Sequence, residues 1–341
     1  MAQQRFILSI DGGGIRGLIP ALVLQELEGR LRKLGKNEPL YRYFDLIAGT
    51  STGGIIAAGL TIPKPTDAKQ PACAAADLVR LYEETGPKIF DQSLFNKIRS
   101  LDGFAQERYA AAPLEAKLRE LLGSRRISEA LTTLVLTAYD IENRKAAFLT
   151  NGPQLGDKVQ PDYLAWQAAR ATSAAPTYFE PAYIENLRSK NREHSAFIDG
   201  GVFANDPGMA AVIEGKKQGW HEDDLFIVSL GTGRHILPIH YEDARNWGVV
   251  GWILPSHGTP IISVLMDGEA STVSYQLGML FNKPPRRYLR LDCDLNAASD
   301  DLDDAREINL LHLRADADNL IRAESAILDQ IAHALTPRPS T

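Results

Sequence analysis

The sequence predicts an α/β fold organised on a mainly parallel sheet, and three stretches predict it. Phe6–Ile10 alternates into a short strand that runs into a glycine loop. After the loop, Leu24, Leu27, Leu31 and Leu34 repeat at helical spacing, with Pro20 in the first turn and Gly35 positioned to end the helix. Phe44–Ala48 is short, apolar and turn-bounded, as a buried strand is, and Ile55–Ala58 opens a second buried helix. Strand, helix and strand in that order form a βαβ unit, which requires parallel pairing and a right-handed crossover.

Composition sets the frame for the rest. The chain has 341 residues, 44% hydrophobic and 23% charged, enough for a sizeable core and against global disorder. Its net charge of −6 predicts no nucleic-acid polymer as partner. Cys73 and Cys293 form neither a disulfide framework nor a metal set. The N-terminal stretch has no basic start or long apolar core, so a cytoplasmic protein is expected. Two stretches lack formal charge, 46–63 and 246–266. The first is rich in Gly, Ser and Thr, and the second is interrupted by Pro255, His257, Gly258 and Pro260, so neither makes a spanning helix.

Further along, 74–84 and 113–122 have helical character, and 61–130 is where a cap over a site would sit; a plain surface insertion fits the same residues. Thr132–Tyr139 is strongly β-prone, with 146–150 as its neighbour, and 161–171 forms a helix. Ser173 follows that helix with nothing framing it as a nucleophile, so loop packing is its expected role. Ala196–Ile198 delivers Asp199 into a two-glycine turn, and Pro207 opens a helix. Leu225–Leu230 and 286–291 are further strands, and 316–335 is a C-terminal helix. The apolar segment 247–254, with two tryptophans, suits a core or a subunit contact, with a membrane-facing surface as the second reading.

The chemistry centres on Gly49-Thr50-Ser51-Thr52-Gly53, a G-x-S-x-G placed between a strand and a helix. That context is the nucleophile elbow, in which a sharp turn lifts the serine hydroxyl clear of the sheet. Side chains at Gly49 or Gly53 would collide with the neighbouring strand and helix. The Ser51 and Thr52 N–H groups then begin a helix whose positive end favours an oxyanion. The loop Gly12-Gly13-Gly14-Ile15-Arg16-Gly17 has two readings. It fits a dinucleotide fingerprint, which needs an acidic residue at the end of the second strand. That strand delivers a serine instead, which favours glycine N–H groups as oxyanion donors, with Arg16 adding charge or bracing the loop. A serine nucleophile also needs a base. His221, His235, His240, His257, His312 and His333 follow in chain order, with His235 best placed, but none is framed by a motif. The other candidate is Asp199, expected on the Ser51 edge of a parallel sheet. An aspartate in water has a pKa of about 3.9 and serves as a base near neutrality only if burial raises it.

The glycine loop, the elbow and Asp199-Gly200-Gly201 together resemble the patatin-like phospholipase family, as do the flanking segments 171–179 and 229–233. The resemblance covers about residues 5–235. It implies a three-layer α/β/α sandwich and a Ser–Asp dyad, with Ser51 as nucleophile and Asp199 as base. It also implies an oxyanion hole from Gly12, Gly13, Gly14 and Arg16, and no catalytic histidine. Plant members are often exported; lacking an export signal, the chain is similar to bacterial members, among them antiphage effectors switched on by cyclic oligonucleotides.

The expectation is a single domain over 1–335 with a disordered tail over 336–341. Its activity is hydrolysis of phospholipid or lysophospholipid acyl esters at the inner face of the membrane, with no metal or cofactor. A cyclic nucleotide activator and a homodimer are admitted as partners, and residues after Arg234 are not needed for the catalytic motifs. Two other readings are a dinucleotide-binding module on Gly12–Gly17 and a catalytically silent lipid-binding protein.

Overall fold

A computed structural model describes residues 4–90, 109–154, 156, 159–234, 236, 238–253, 260–284 and 286–336. His235, His257, residues 91–108 of the cap region and residues 337–341 of the expected tail lie outside the described residues.

One eight-stranded sheet organises the chain. Its strands are β1 (Arg5–Ile10), β2 (Leu46–Gly49), β3 (Thr133–Asp140), β4 (Lys145–Thr150), β5 (Ala182–Glu185), β6 (His194–Asp199), β7 (Leu225–Leu230) and β8 (Tyr288–Leu291). The order is β5-β6-β3-β2-β1-β7-β8, with β4 paired to β3. β3, β2, β1, β7 and β8 are mutually parallel, while β4, β5 and β6 enter antiparallel. The parallel centre follows from sequence, since its strands are almost continuously apolar, as strands covered on both faces must be.

Alternation along these strands builds two cores. Phe6, Leu8, Ile10, Ile47, Leu134, Leu136, Phe226 and Val228 face one layer of helices. Ile7, Leu46, Ala48, Val135, Leu225 and Ile227 face the other. The first layer contains α1 (Leu18–Lys33), α2 (Thr52–Thr61), α3 (Ala75–Arg80), α4 (Ala112–Leu122) and α5 (Ala165–Thr172). The second holds α6 (Gly208–Lys217) and α7 (Pro260–Phe281), which bury Ala211, Val212, Val273, Leu277 and Phe281. α8 (Glu307–Ala323) and α9 (Ser325–Leu335) close the first layer against α1. The result is a three-layer α/β/α sandwich with a mostly parallel sheet.

Some expectations need correction. The C-terminal helix is two helices, broken at Glu324, whose backbone angles of −100° and 22° are not helical. The helix over 74–84 is α3 followed by a π-helical turn, Leu81–Thr85. The tryptophan segment is a short helix, Gly248–Ile253, with Trp247 and Trp252 half-buried edge to face, 5.2 Å apart. The residues after Arg234 are not separable from the catalytic motifs. Arg290 on β8 bonds Asp11 at 2.7 Å, Asp206 at 3.1 Å and Asp292 at 3.0 Å. The Leu302 carbonyl accepts the Ile15 N–H at 2.8 Å.

Candidate active site

Ser51 sits between β2 and α2 at φ 55° and ψ −121°, a conformation that costs an ordinary residue about 1–3 kcal/mol. The glycines around it make the turn possible. A β-carbon at Gly49 would lie 2.1 Å from the Gly53 carbonyl oxygen, and one at Gly53 would lie 2.2 Å from that of Ile10. Neighbouring chains hold the turn. The Ser51 N–H donates to Thr172 Oγ1 at 2.9 Å. Thr50 Oγ1 donates to the Ala204 carbonyl at 2.6 Å and lies 2.6 Å from Thr137 Oγ1. Since the Ser51 N–H already has this partner, it is not a free oxyanion donor as the sequence suggested.

Asp199 arrives by an unexpected route. Its strand, β6, is antiparallel to β3, so Asp199 does not share a parallel strand end with Ser51. β4 occupies one edge of β3, pairing with residues 135–140. β2 and β6 must therefore both use the other edge. β2 ends there with Gly49 opposite Leu136, and β6 ends with Asp199 opposite Ala138. The two strands meet end to end, and their meeting brings Ser51 and Asp199 together. The Ser51 hydroxyl donates to the Asp199 carboxylate, whose Oδ1 also accepts the Gly201 N–H at 2.7 Å.

Burial then sets the electrostatics. Asp199 is 4% exposed, and desolvation pushes its pKa up to about 7. The Ser51 and Gly201 hydrogen bonds and the charge of Arg170 oppose that rise without cancelling it. A carboxylate in this range is a competent proton acceptor near neutrality. No described histidine lines the cleft around Ser51.

The glycine loop packs closely against protein where its β-carbons would be. A β-carbon would lie 2.4 Å from Asn205 Oδ1 at Gly12, 2.2 Å from Thr232 Oγ1 at Gly13 and 2.1 Å from the Leu302 carbonyl at Gly14. The missing side chains thus make room for the chain itself rather than for a pyrophosphate, which counts against the dinucleotide reading. The Gly12 N–H donates to the Asn205 carbonyl at 3.1 Å, so it is already engaged and is not a free oxyanion donor. Among the described residues, the Gly13 and Gly14 N–H groups have no protein partner. Arg16 is buried and donates to the carbonyls of Gly13 at 3.3 Å and Gly233 at 3.2 Å. It braces the loop. By fixing the Gly13 carbonyl it also fixes the opposite end of the same planar peptide, the Gly14 N–H.

A cleft of about 1030 Å³, counting its open mouth, is lined by Ser51, Asp199 and Gly14. Its walls are apolar and include Ile55, Leu81, Ile89, Leu114, Leu118 and Met266. Phe90 and Phe179 also line it and pack on Tyr109 at 5.4 and 6.0 Å. Leu265 lines the cleft from α7 and is half-exposed, and Val264 and Ile261 are exposed on the same helix. An apolar cleft lined by a serine and a carboxylate suits an acyl ester.

Residues 8–212 match the family model for patatin-like phospholipases. The chain belongs to the patatin-like phospholipase family. It is 34% identical over 349 residues to patatin-like protein 2 of Oryza sativa subsp. japonica, covering 95% of this chain and 84% of that one. Patatin-like protein 1 of Arabidopsis thaliana is 33% identical, covering 90% and 79%. A Solanum tuberosum relative named probable inactive patatin-3-Kuras 1 is 32% identical, covering 93% and 86%. These relatives are plant proteins, not the bacterial effectors that the sequence suggested. Their coverage includes the C-terminal part that the sequence motifs left out. Among solved structures, VipD from Legionella pneumophila aligns over 94% of this chain and 67% of that one. Its identity is 11% and its TM-score 0.38, too loose a likeness to carry any argument. As a family member the chain is a lipid acyl hydrolase. Among the described residues no helix is long and apolar enough to cross a membrane.

Proposed function

We propose that the protein hydrolyses fatty acyl esters of phospholipids or lysophospholipids through a Ser51–Asp199 dyad. One observation carries the reading: the Ser51 hydroxyl is bonded to a buried aspartate in the wall of an apolar cleft. The acyl chain lies in the cleft and the ester carbonyl beside Ser51. Asp199 takes the hydroxyl proton as Oγ attacks the carbonyl carbon. The Gly13 and Gly14 N–H groups hold the oxyanion, helped by the N-terminal end of α2. The tetrahedral adduct collapses, the leaving alcohol takes the proton from Asp199, and an acyl-enzyme stays on Ser51. Water then attacks the acyl carbon, gives a proton to Asp199 and frees the fatty acid.

The exposed Leu265, Val264 and Ile261 on α7, of which Leu265 lines the cleft, suit approach to a lipid surface. Action at the inner face of the membrane is part of this proposal. Activation by a cyclic oligonucleotide in antiphage defence is a separate proposal that rests only on resemblance. It fails if the purified protein is fully active alone and unchanged by cyclic di- and trinucleotides. The naming of one relative as probably inactive makes a silent lipid-binding protein the reading to exclude. A fluorophosphonate probe decides this, labelling wild type and missing Ser51→Ala if the dyad is active. Wild type left unlabelled, yet binding lipid, would favour the silent reading.

A further inference from the structure

The segment where α5 ends runs alongside both members of the dyad. Thr172 Oγ1 accepts the Ser51 N–H at 2.9 Å, and the Ala174 carbonyl accepts the Asp199 N–H at 3.0 Å. Ser173 stands between these two anchors. It is 7% exposed and lines the cleft with Ser51 and Asp199. Its Oγ has no hydrogen-bond partner among the described residues. A buried hydroxyl left unpaired costs about 1–3 kcal/mol, and an alanine would suit an acyl-binding wall better. The hydroxyl therefore points to a polar partner that enters the cleft during the reaction.

Position identifies that partner. In the sheet, β1 and its glycine loop lie on one side of β2 and β3 on the other, with β6 meeting β2 end to end along the edge of β3. The candidate oxyanion donors belong to the loop after β1, whereas Asp199 ends β6 and is tied by its N–H to the segment after α5 that carries Ser173. A group held by Ser173 is thus beside the base. We infer that Ser173 Oγ positions the water that hydrolyses the acyl-enzyme. This rests on the acyl-hydrolase reading above and assigns a role within it.

In that step the water oxygen bonds to the acyl carbon. One of its protons passes to Asp199, while the other is held in a hydrogen bond to Ser173 Oγ. The bond between the acyl carbon and Ser51 Oγ then breaks, Oγ takes the proton back from Asp199, and the fatty acid leaves. Ser173 is needed for the second half of the cycle and not the first.

Stopped-flow hydrolysis of a fatty acyl nitrophenyl ester separates the halves. Ser173→Ala should keep the wild-type rate for the first turnover and slow the steady state at least about tenfold, the worth of one lost hydrogen bond. The trace becomes a burst of one nitrophenolate per enzyme, and intact-mass measurement finds the acyl adduct. Ser173→Thr, which keeps a hydroxyl, should show no burst. Ser173→Cys keeps the volume but bonds weakly; it should burst and serves if the alanine variant does not fold. Equal slowing of both phases, or unchanged kinetics in these variants, overturns the assignment. No nitrophenolate release by wild type would overturn the acyl-hydrolase reading instead.

Discussion

Gly49 and Asp199, the last residues of β2 and β6, stand opposite Leu136 and Ala138 on one edge of β3. The dyad is therefore a junction of strand ends, and its geometry depends on how closely β6 can approach. Gly200 sets that approach, since a β-carbon there would lie 2.0 Å from Thr137 Oγ1 and 2.6 Å from the Thr137 backbone carbon. Gly200→Ala should displace Asp199 and cost about 1–3 kcal/mol of stability by overpacking. Activity should fall more than the loss of folded protein explains, measured by pairing thermal melts with active-site titration.

Burial of Asp199 makes a testable statement about pH. The group works as a base only when deprotonated, so kcat/KM should rise with pH through about 7 and level off above it. A rise limited by a group near the ordinary carboxylate value would place the base elsewhere.

Asp199→Asn should lower turnover by about 10²–10⁴-fold, the usual worth of a general base. It should also raise stability. The folded pKa, about 7, lies above the ordinary value of 3.8, so the stabilising effect of protonation is complete below the unfolded value and lost as pH rises to 7. Asparagine has no such loss. Its Tm advantage over wild type should therefore grow from pH 4 to 7 and stay flat above. Melts across that range check the sign.

Arg290 ties the late part of the chain to the site by pairing with Asp11, Asp206 and Asp292. Arg290→Met leaves those carboxylates facing one another in a buried place, where breaking such a pairing costs about 3–5 kcal/mol. The deficit should shrink as pH falls and the carboxylates take up protons. A deficit independent of pH would mean that packing, not charge, holds this junction.

Much of this was legible in the sequence because local chemistry dictated it. Gly49 and Gly53 had to be glycine for the elbow to close, and the collisions a β-carbon would suffer show why. The short apolar runs of β1 and β7 likewise announced buried strands. What the sequence hid was set by distant contacts. Nothing local says that β6 runs antiparallel or that the Gly12 N–H is taken by Asn205. The role of Leu302 at the glycine loop is equally silent, since its carbonyl carries no side-chain signal. α7 was missed because its Gly, Ser and Thr residues and broad hydrophobicity blur the helical period. The pKa of Asp199 could be required by argument, but only the depth of its burial sets it.

The central claim is that Ser51 opens acyl esters of membrane lipids. Its most direct test is incubation of purified protein with mixed phospholipids, followed by mass spectrometry of the products, wild type against Ser51→Ala. Wild type should release free fatty acid and lysophospholipid or a deacylated head group, and Ser51→Ala should release at least about a thousandfold less while melting as the wild type does. Equal release of fatty acid by both proteins would contradict the account.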